Sequence, residues 1–207
     1  WPDTYLISTY YEDRGLAFNQ YVVDAAEPLL VHTGSADMIE DVITGVEQVL
    51  PVEELSYALA SHFESDECGA LAALRERNPA LRPVGSEITA RQLDGFGIHE
   101  DALVRAGGEQ LDLGDRTLEL IDYPAEMHLW NGLLAYDPEH GGLFSADVFR
   151  RRGTVEELVV REQLDVSEIP VDRCPAADPR ATLADRLTDL DTDNVAPGHG
   201  PVIDRTQ

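Results

Sequence analysis

The sequence predicts an α/β protein built as a four-layer α/β/β/α sandwich. Three observations carry that expectation. Short β-patterned runs are separated by charged or Gly-containing turns, in the manner of antiparallel hairpins. Helical patterns follow each strand-rich block, which favours two similar layered halves over a doubly wound parallel sheet. The chain has 207 residues, 43% of them hydrophobic, enough to bury a sizeable core. No linker divides it, so residues 1–207 are read as one domain.

The first half opens with strand-like YLIST (5–9), AFNQYVV (17–23) and PLLVHT (28–33). A helix is expected from Asp37 to Val49, with Met38, Val42, Val46 and Val49 on one face and Pro51 marking its end. Strand-like LSYALAS (55–61) precedes an acidic loop, HFESDECG (62–69). Then come a helix near Ala70 to Arg77, a short strand around LRPVG, and a helix near Ile88 to Phe96. In the second half, strands are expected at EQLDLG, RTLELIDY, GLLAYD and GGLFSAD, and helices near Thr154 to Gln163 and Thr182 to Leu190. Gly107-Gly108 and Gly141-Gly142 read as turns, since neither has the strand-loop-helix pattern of a phosphate cradle.

Charge narrows the function classes. Forty acidic residues face fifteen basic ones, all of them Arg, for a formal net charge of −25. Such an excess strains a compact state in dilute buffer, whereas at about 1 M salt the screening length falls to roughly 3 Å. The composition is therefore halophile-like. Nucleic acid is a poor partner, because no basic stripe exists to neutralise phosphates. The run Arg150-Arg151-Arg152 is the one cationic cluster, and it reads as a solvated loop. No apolar run reaches membrane-spanning length and no basic-then-apolar leader is present, so a soluble, cytoplasmic protein with no membrane partner is expected. Two cysteines, Cys68 and Cys174, are too few for a disulfide framework. Cys68 reads as a small buried residue at a helix start.

The acidic loop carries the first candidate chemistry. In an extended segment alternate side chains share one side, so His62, Glu64 and Asp66 would point together. In so acidic a chain that run alone is weak evidence. Three other loops add weight: PAEMHLWNG places His128 after a strand, LFSADVF places Asp147 at a strand end, and NVAPGHGP places His199 in a Gly/Pro turn. Rigid strands can aim loop side chains of this kind at one point. His32, His99 and His140 have no partners at useful spacing and read as core, loop or surface histidines. Trp130 and Tyr136 are candidates to wall an apolar pocket near His128, although their ordinary reading is core.

The order H-x-E-x-D, His, Asp, His, with FSAD and PGHGP around the last two, resembles the metallo-β-lactamase fold, and more narrowly the diiron core of flavodiiron proteins. The likeness runs from FNQYVV to HGPVI. Zinc hydrolases of that superfamily usually carry a second His where this chain has Glu64, and a carboxylate there moves the site toward harder ligation suited to iron or manganese, without excluding zinc. The resemblance implies that His62, Glu64 and His128 hold one metal, Asp66 and His199 the other, and that Asp147 bridges them. The chain departs from the family at Glu67, where the motif continues Asp-His. Three outcomes are open there: Glu67 binds the second metal as a further carboxylate, turns to solvent, or leaves a position for water.

Flavodiiron proteins reduce O2 to water or NO to nitrous oxide. The resemblance thus implies two Fe ions (Mn or Zn being alternatives), a small diatomic ligand, and reduction by electrons from a separate donor protein. The chain ends shortly after His199, too soon for the flavodoxin-like domain that carries FMN, so no FMN is expected in it. A non-catalytic O2/NO sensor or carrier and a dinuclear hydrolase of esters, thioesters or lactones are the alternatives. A homodimer is left open.

Overall fold

The computed structural model describes residues 1–97, 102–128, 131–153 and 156–206, with the side chains of residues 127 and 128 outside that description. Its first sheet holds β1 (Thr4–Tyr11), β2 (Leu16–Val23), β3 (Leu29–Val31), β4 (Tyr57–Leu59), β5 (Arg82–Gly85) and β6 (Leu103–Val104), in that spatial order. Its second sheet holds β7 (Gln110–Asp112), β8 (Thr117–Tyr123), β9 (Gly132–Asp137), β10 (Gly142–Ala146), β11 (Val159–Arg161), β12 (Asn194–Pro197) and β13 (Val202–Asp204), in the order β11-β13-β12-β10-β9-β8-β7. The helices are α1 (Ile39–Val46), α2 (Ser65–Cys68), α3 (Leu71–Arg77), α4 (Glu87–Gly95), α5 (Ala125–His128) and α6 (Ala177–Thr188).

Strand alternation explains the layers. Tyr21, Val23, Leu29 and Val31 point inward and meet Leu118, Leu120, Leu133, Ala135 and Phe144 in one cluster between the sheets. Their neighbours Val22 and Leu30 point the other way, against Val42 and Val46 of α1, Leu71 and Leu74 of α3, and Leu93 of α4. On the second sheet Leu134, Tyr136 and Leu143 turn outward onto Leu183 and Leu187 of α6. With both faces covered, strands read as near-continuous apolar runs, as LLV and GLLAYD do. The four-layer sandwich expected from the sequence is the fold observed.

Several elements differ from expectation. The β1–β2–β3 run is antiparallel, but β3, β4, β5 and β6 pair in parallel, because helices rather than hairpin turns connect them. The helix expected from Asp37 begins as a 3-10 turn at Ala36–Met38. No helix occupies the described part of 154–163. Val159-Val160 instead form an edge strand that runs parallel to Val202-Ile203, so sheet pairing overrides a local charge pattern that looks helical. The last helix starts five residues before Thr182, since Pro179 lies in its first turn, where proline is tolerated. Both cysteines are free and buried. Among the described residues, no helix is long and apolar enough to cross a membrane.

Candidate metal centre

The loops at one edge of the two sheets converge because backbone contacts force them to. Leu133 at the start of β9 donates its N–H to Ser61 O at 2.6 Å, tying the His62 loop to the second sheet. That approach needs glycine at position 132, where a Cβ would lie 1.9 Å from Ser61 O. The His199 turn is held from both sides. Gly198 N–H donates to Ala146 O at 2.8 Å, Asn19 Nδ2 donates to Pro197 O at 2.9 Å and Gly200 O at 2.7 Å, and Tyr21 Oη donates to Pro197 O at 2.7 Å. Two non-glycine residues beside the cluster sit in the left-handed region, His32 at φ 62° and Ala146 at φ 46°. Such backbone tends to gather at functional sites.

Within this frame lie His62, Glu64, Asp66, Glu67, Asp147 and His199. His62 Nε2 is 3.3 Å from Glu64 Oε2 and 3.8 Å from Glu67 Oε2. His199 Nε2 is 3.1 Å from Asp66 Oδ2 and 3.4 Å from Asp147 Oδ1. Donor atoms of His62, Glu64 and Glu67 form one group, and those of Asp66, Glu67 and His199 a second, each within 4.8 Å. Glu64 is extended, but Asp66 and Glu67 lie on the single turn of α2, so the alternate-residue argument ends at Glu64. The turn sends Asp66 toward His199 while His62 and Glu64 stay side by side. Glu67 is 1% exposed, which removes the solvent-facing alternative. The backbone of His128 closes α5 after β8; its side chain, like all of Trp130 and His99, lies outside the described residues.

The surroundings fix ring orientation. His199 Nδ1–H donates to Ala17 O at 2.9 Å, which turns Nε2 toward the carboxylates. His62 Nδ1 is 3.0 Å from Ser61 Oγ, which is 2.8 Å from His32 Nε2, so a His–Ser–His chain runs into the core behind the site. Tyr123 stacks on the His62 ring at 5.1 Å, and Phe18 meets the His199 ring edge-on at 4.9 Å. His32 is therefore more than a core histidine: its partner Ser61, adjacent to His62 in sequence, is what a reading limited to titratable residues passes over. Asn19 was equally silent, a polar residue in an apolar strand being the one signal for it.

Electrostatics follow from burial and crowding. Burial, then the charges of Asp66, Asp147 and Glu64, push the Glu67 carboxyl well above its ordinary value. Burial alone would raise Asp147, but the facing His199 and the Arg150 guanidinium outweigh it and bring the carboxyl down to about 2. Burial alone would lower His199, yet Asp147 and Asp66 overcome it and raise the ring to about 9. Burial lowers His32 to about 3, so that ring stays neutral. Cys68 is buried and held by Glu64 O at 3.1 Å, and burial drives its thiol up to about 12, as suits a packing residue.

One further expectation changes, at Arg150. Arg150 is no solvated charge: its Nη1 donates to Asp147 Oδ2 at 2.7 Å, while Arg151 pairs with Glu162 at 2.8 Å. Tyr136 packs on the α6 side and donates to Asp191 O at 2.8 Å, in keeping with its ordinary core reading. An apolar pocket of about 320 Å³ adjoins the site, lined among the described residues by Phe63, Cys68, Leu93 and Phe96 together with Glu64, while the expected wall residue Trp130 lies outside the described residues. His140 sits at the opposite end of β10 from Asp147, bonded to buried Asp137 at 2.9 Å.

The donor set suits hard, divalent cations. Among the described residues two imidazoles and four carboxylates converge, and two buried carboxylate oxygens, Glu67 Oε2 and Asp147 Oδ1, have no hydrogen-bond partner. Orphaned oxygens aimed into one cluster are what a cation would satisfy.

Comparison with known proteins places this arrangement. The chain is 26% identical over 202 residues to Diflavin flavoprotein A 1 of Synechocystis sp., covering 92% of this chain and 34% of that protein. It is 24% identical over 164 residues to the anaerobic nitric oxide reductase flavorubredoxin of Aliivibrio salmonicida, covering 78% and 32%. The chain thus spans about a third of the length of these curated relatives. Its fold is similar to that of rubredoxin oxygen:oxidoreductase from Desulfovibrio gigas, with a TM-score of 0.81 at 19% identity over 99% of this chain and 56% of that one. The profile described as ODP family beta lactamase matches residues 16–200, nearly the whole chain. On that match the chain belongs to the ODP family, the oxygen-binding diiron proteins of metallo-β-lactamase-like fold.

Proposed function

We propose that the protein is a non-haem diiron protein that binds and reduces a small diatomic, O2 or NO, with electrons from a separate donor protein. In this reading His62, Glu64 and His128 hold one iron, Asp66 and His199 the other, and Asp147 lies between them. The observation that carries it is the pair of donor groups, built from His62, Glu64, Asp66, Glu67 and His199, with a carboxylate at position 64 where zinc hydrolases place an imidazole. Relatives named as a nitric oxide reductase flavorubredoxin and a rubredoxin oxygen:oxidoreductase support the substrate class.

A bound ferrous pair would supply electrons and an open coordination position, which redox-inert zinc does not. The chain's own residues do the rest. Ser61 and Ala17 O accept the Nδ1 protons of His62 and His199 and so present both Nε2 atoms to the site. Phe63, Leu93 and Phe96 give a diatomic an apolar approach beside Glu64. Arg150 neutralises part of the carboxylate charge at Asp147.

The test is anaerobic loading with ferrous iron, elemental analysis, and stopped-flow mixing with O2 or NO in the presence of a chemical reductant. Two irons per chain and repeated consumption of the diatomic are expected. A persistent adduct without turnover would instead make it a sensor or carrier. Two tightly held zinc ions with ester hydrolysis would overturn the redox reading.

A further inference from the structure

We propose that Glu67 is a shared ligand, one carboxylate contacting both metal positions. The inference rests on the diiron reading and deepens it. Acidic neighbours alone would not single out Glu67. What does is its presence in both donor groups, together with an Oε2 that is buried and lacks any hydrogen-bond partner. Its backbone allows no escape to solvent, because Thr33 N–H donates to Glu67 O at 2.9 Å and pins the α2 turn against the β3 loop.

Asp147 leaves room for a second bridge. Arg150 holds its Oδ2 at 2.7 Å, so Oδ1 is the oxygen left to face the site. A carboxylate has two oxygens and can bond two cations, whereas the imidazole that the family motif carries at this position offers the site one nitrogen. Glu instead of His at 67 therefore changes how the two positions are coupled and makes the site more anionic, which favours the ferric state.

The experiment titrates metal-free wild type, Glu67→Gln and Glu67→His with ferrous iron under anaerobic conditions, by calorimetry and chelator competition. Thermal unfolding of each in chelator is measured alongside. Wild type should take two ferrous ions, the first assisting the second. Glu67→Gln should weaken both binding events by at least about tenfold, and Glu67→His should recover one tight ion without the assistance. Metal-free Glu67→Gln should melt at or above wild type, since it relieves a buried acid crowded by other acids. Loss confined to one ion in Glu67→Gln, or no loss, overturns the shared role. So does a markedly lower melting temperature of the metal-free variant, which would make Glu67 a structural residue. Wild type that takes fewer than two ions would fail the diiron reading itself, a separate result.

Discussion

Ser61→Ala tests whether the core side of the site governs its metal side. In the intact protein Ser61 Oγ bridges His62 Nδ1 at 3.0 Å and His32 Nε2 at 2.8 Å. Since His62 Nε2 faces Glu64 and Glu67, Nδ1 must carry the proton for Nε2 to bind metal, and Ser61 must then donate to neutral His32. Alanine removes one acceptor and one donor from two buried rings. Deleting a partner from a buried polar group costs about 1–3 kcal/mol, so the metal-free variant should lose roughly 2–6 kcal/mol. A residue that orients a metal ligand is worth about 10–100-fold in affinity. Urea unfolding of the metal-free protein measures the first quantity, and chelator competition with ferrous iron the second. Ser61→Cys, which keeps the volume and a weak donor, should fall between. An affinity within twofold of wild type, whatever the stability loss, would refute the claim that this chain sets the His62 tautomer.

Three more outcomes follow from the same geometry. In the metal-free protein His199 is raised from 6.5 to about 9, so its ion pair stabilises fully below pH 6.5 and is lost as pH climbs through 9; the raised Glu67 acid shifts stability in the same direction from pH 4.5 upward. Folding stability in chelator should therefore drop between pH 6 and 9, by an amount on the order of 3 kcal/mol for His199 and visible as a falling melting temperature, and metal uptake at pH 7 should release its proton; a flat or rising profile would contradict this. His128→Ala and Asp147→Ala should each lower iron content sharply, whereas His140→Ala should leave it unchanged and lower stability by removing one partner of buried Asp137, which keeps Arg116 at 3.7 Å, and equal iron in all three variants would break the ligand assignment. With a net charge of −25, melting temperature should rise with salt from about 0.1 M to 1 M, where screening lengths shrink from roughly 10 Å to 3 Å, and indifference to salt would contradict the charge argument.

Much of this was legible in the chain because it is written in local chemistry. Near-continuous apolar runs such as GLLAYD marked strands with two buried faces, and His62, Glu64, Asp147 and His199, singled out by type and by position near strand ends, do come together in the fold. What stayed hidden depends on partners distant in sequence. Val159-Val160 become a strand only through Val202-Ile203, and parallel pairing of β3, β4 and β5 needs intervening helices to cross over. Ser61, His32 and Asn19 are second partners to the site, and of the three only Asn19, polar in an apolar strand, is marked by its own neighbourhood. Arg150 misled for the opposite reason: beside two other arginines it looks solvated, yet its position three residues after Asp147 turns it inward.

The site's polar groups are in fact poorly matched to one another while the backbone around them is well matched. Among the described residues four carboxylates crowd two imidazoles and Arg150, and Glu67 Oε2 and Asp147 Oδ1 have no hydrogen-bond partner. None of those defects loosens the frame, because the bonds that gather the loops are made elsewhere, by Asn19 and Tyr21 to the His199 turn and by Leu133 to Ser61. A fold held this way can form before any cation binds and still be stabilised by one, since a ligand that binds only the native state adds RT ln(1 + [L]/Kd) to its stability. Were the cluster instead a structural salt-bridge network, its acids and bases would balance and its oxygens would be satisfied internally. The surplus of acid and the unmet oxygens are therefore the features that distinguish a site prepared for cations from a buried ion pair.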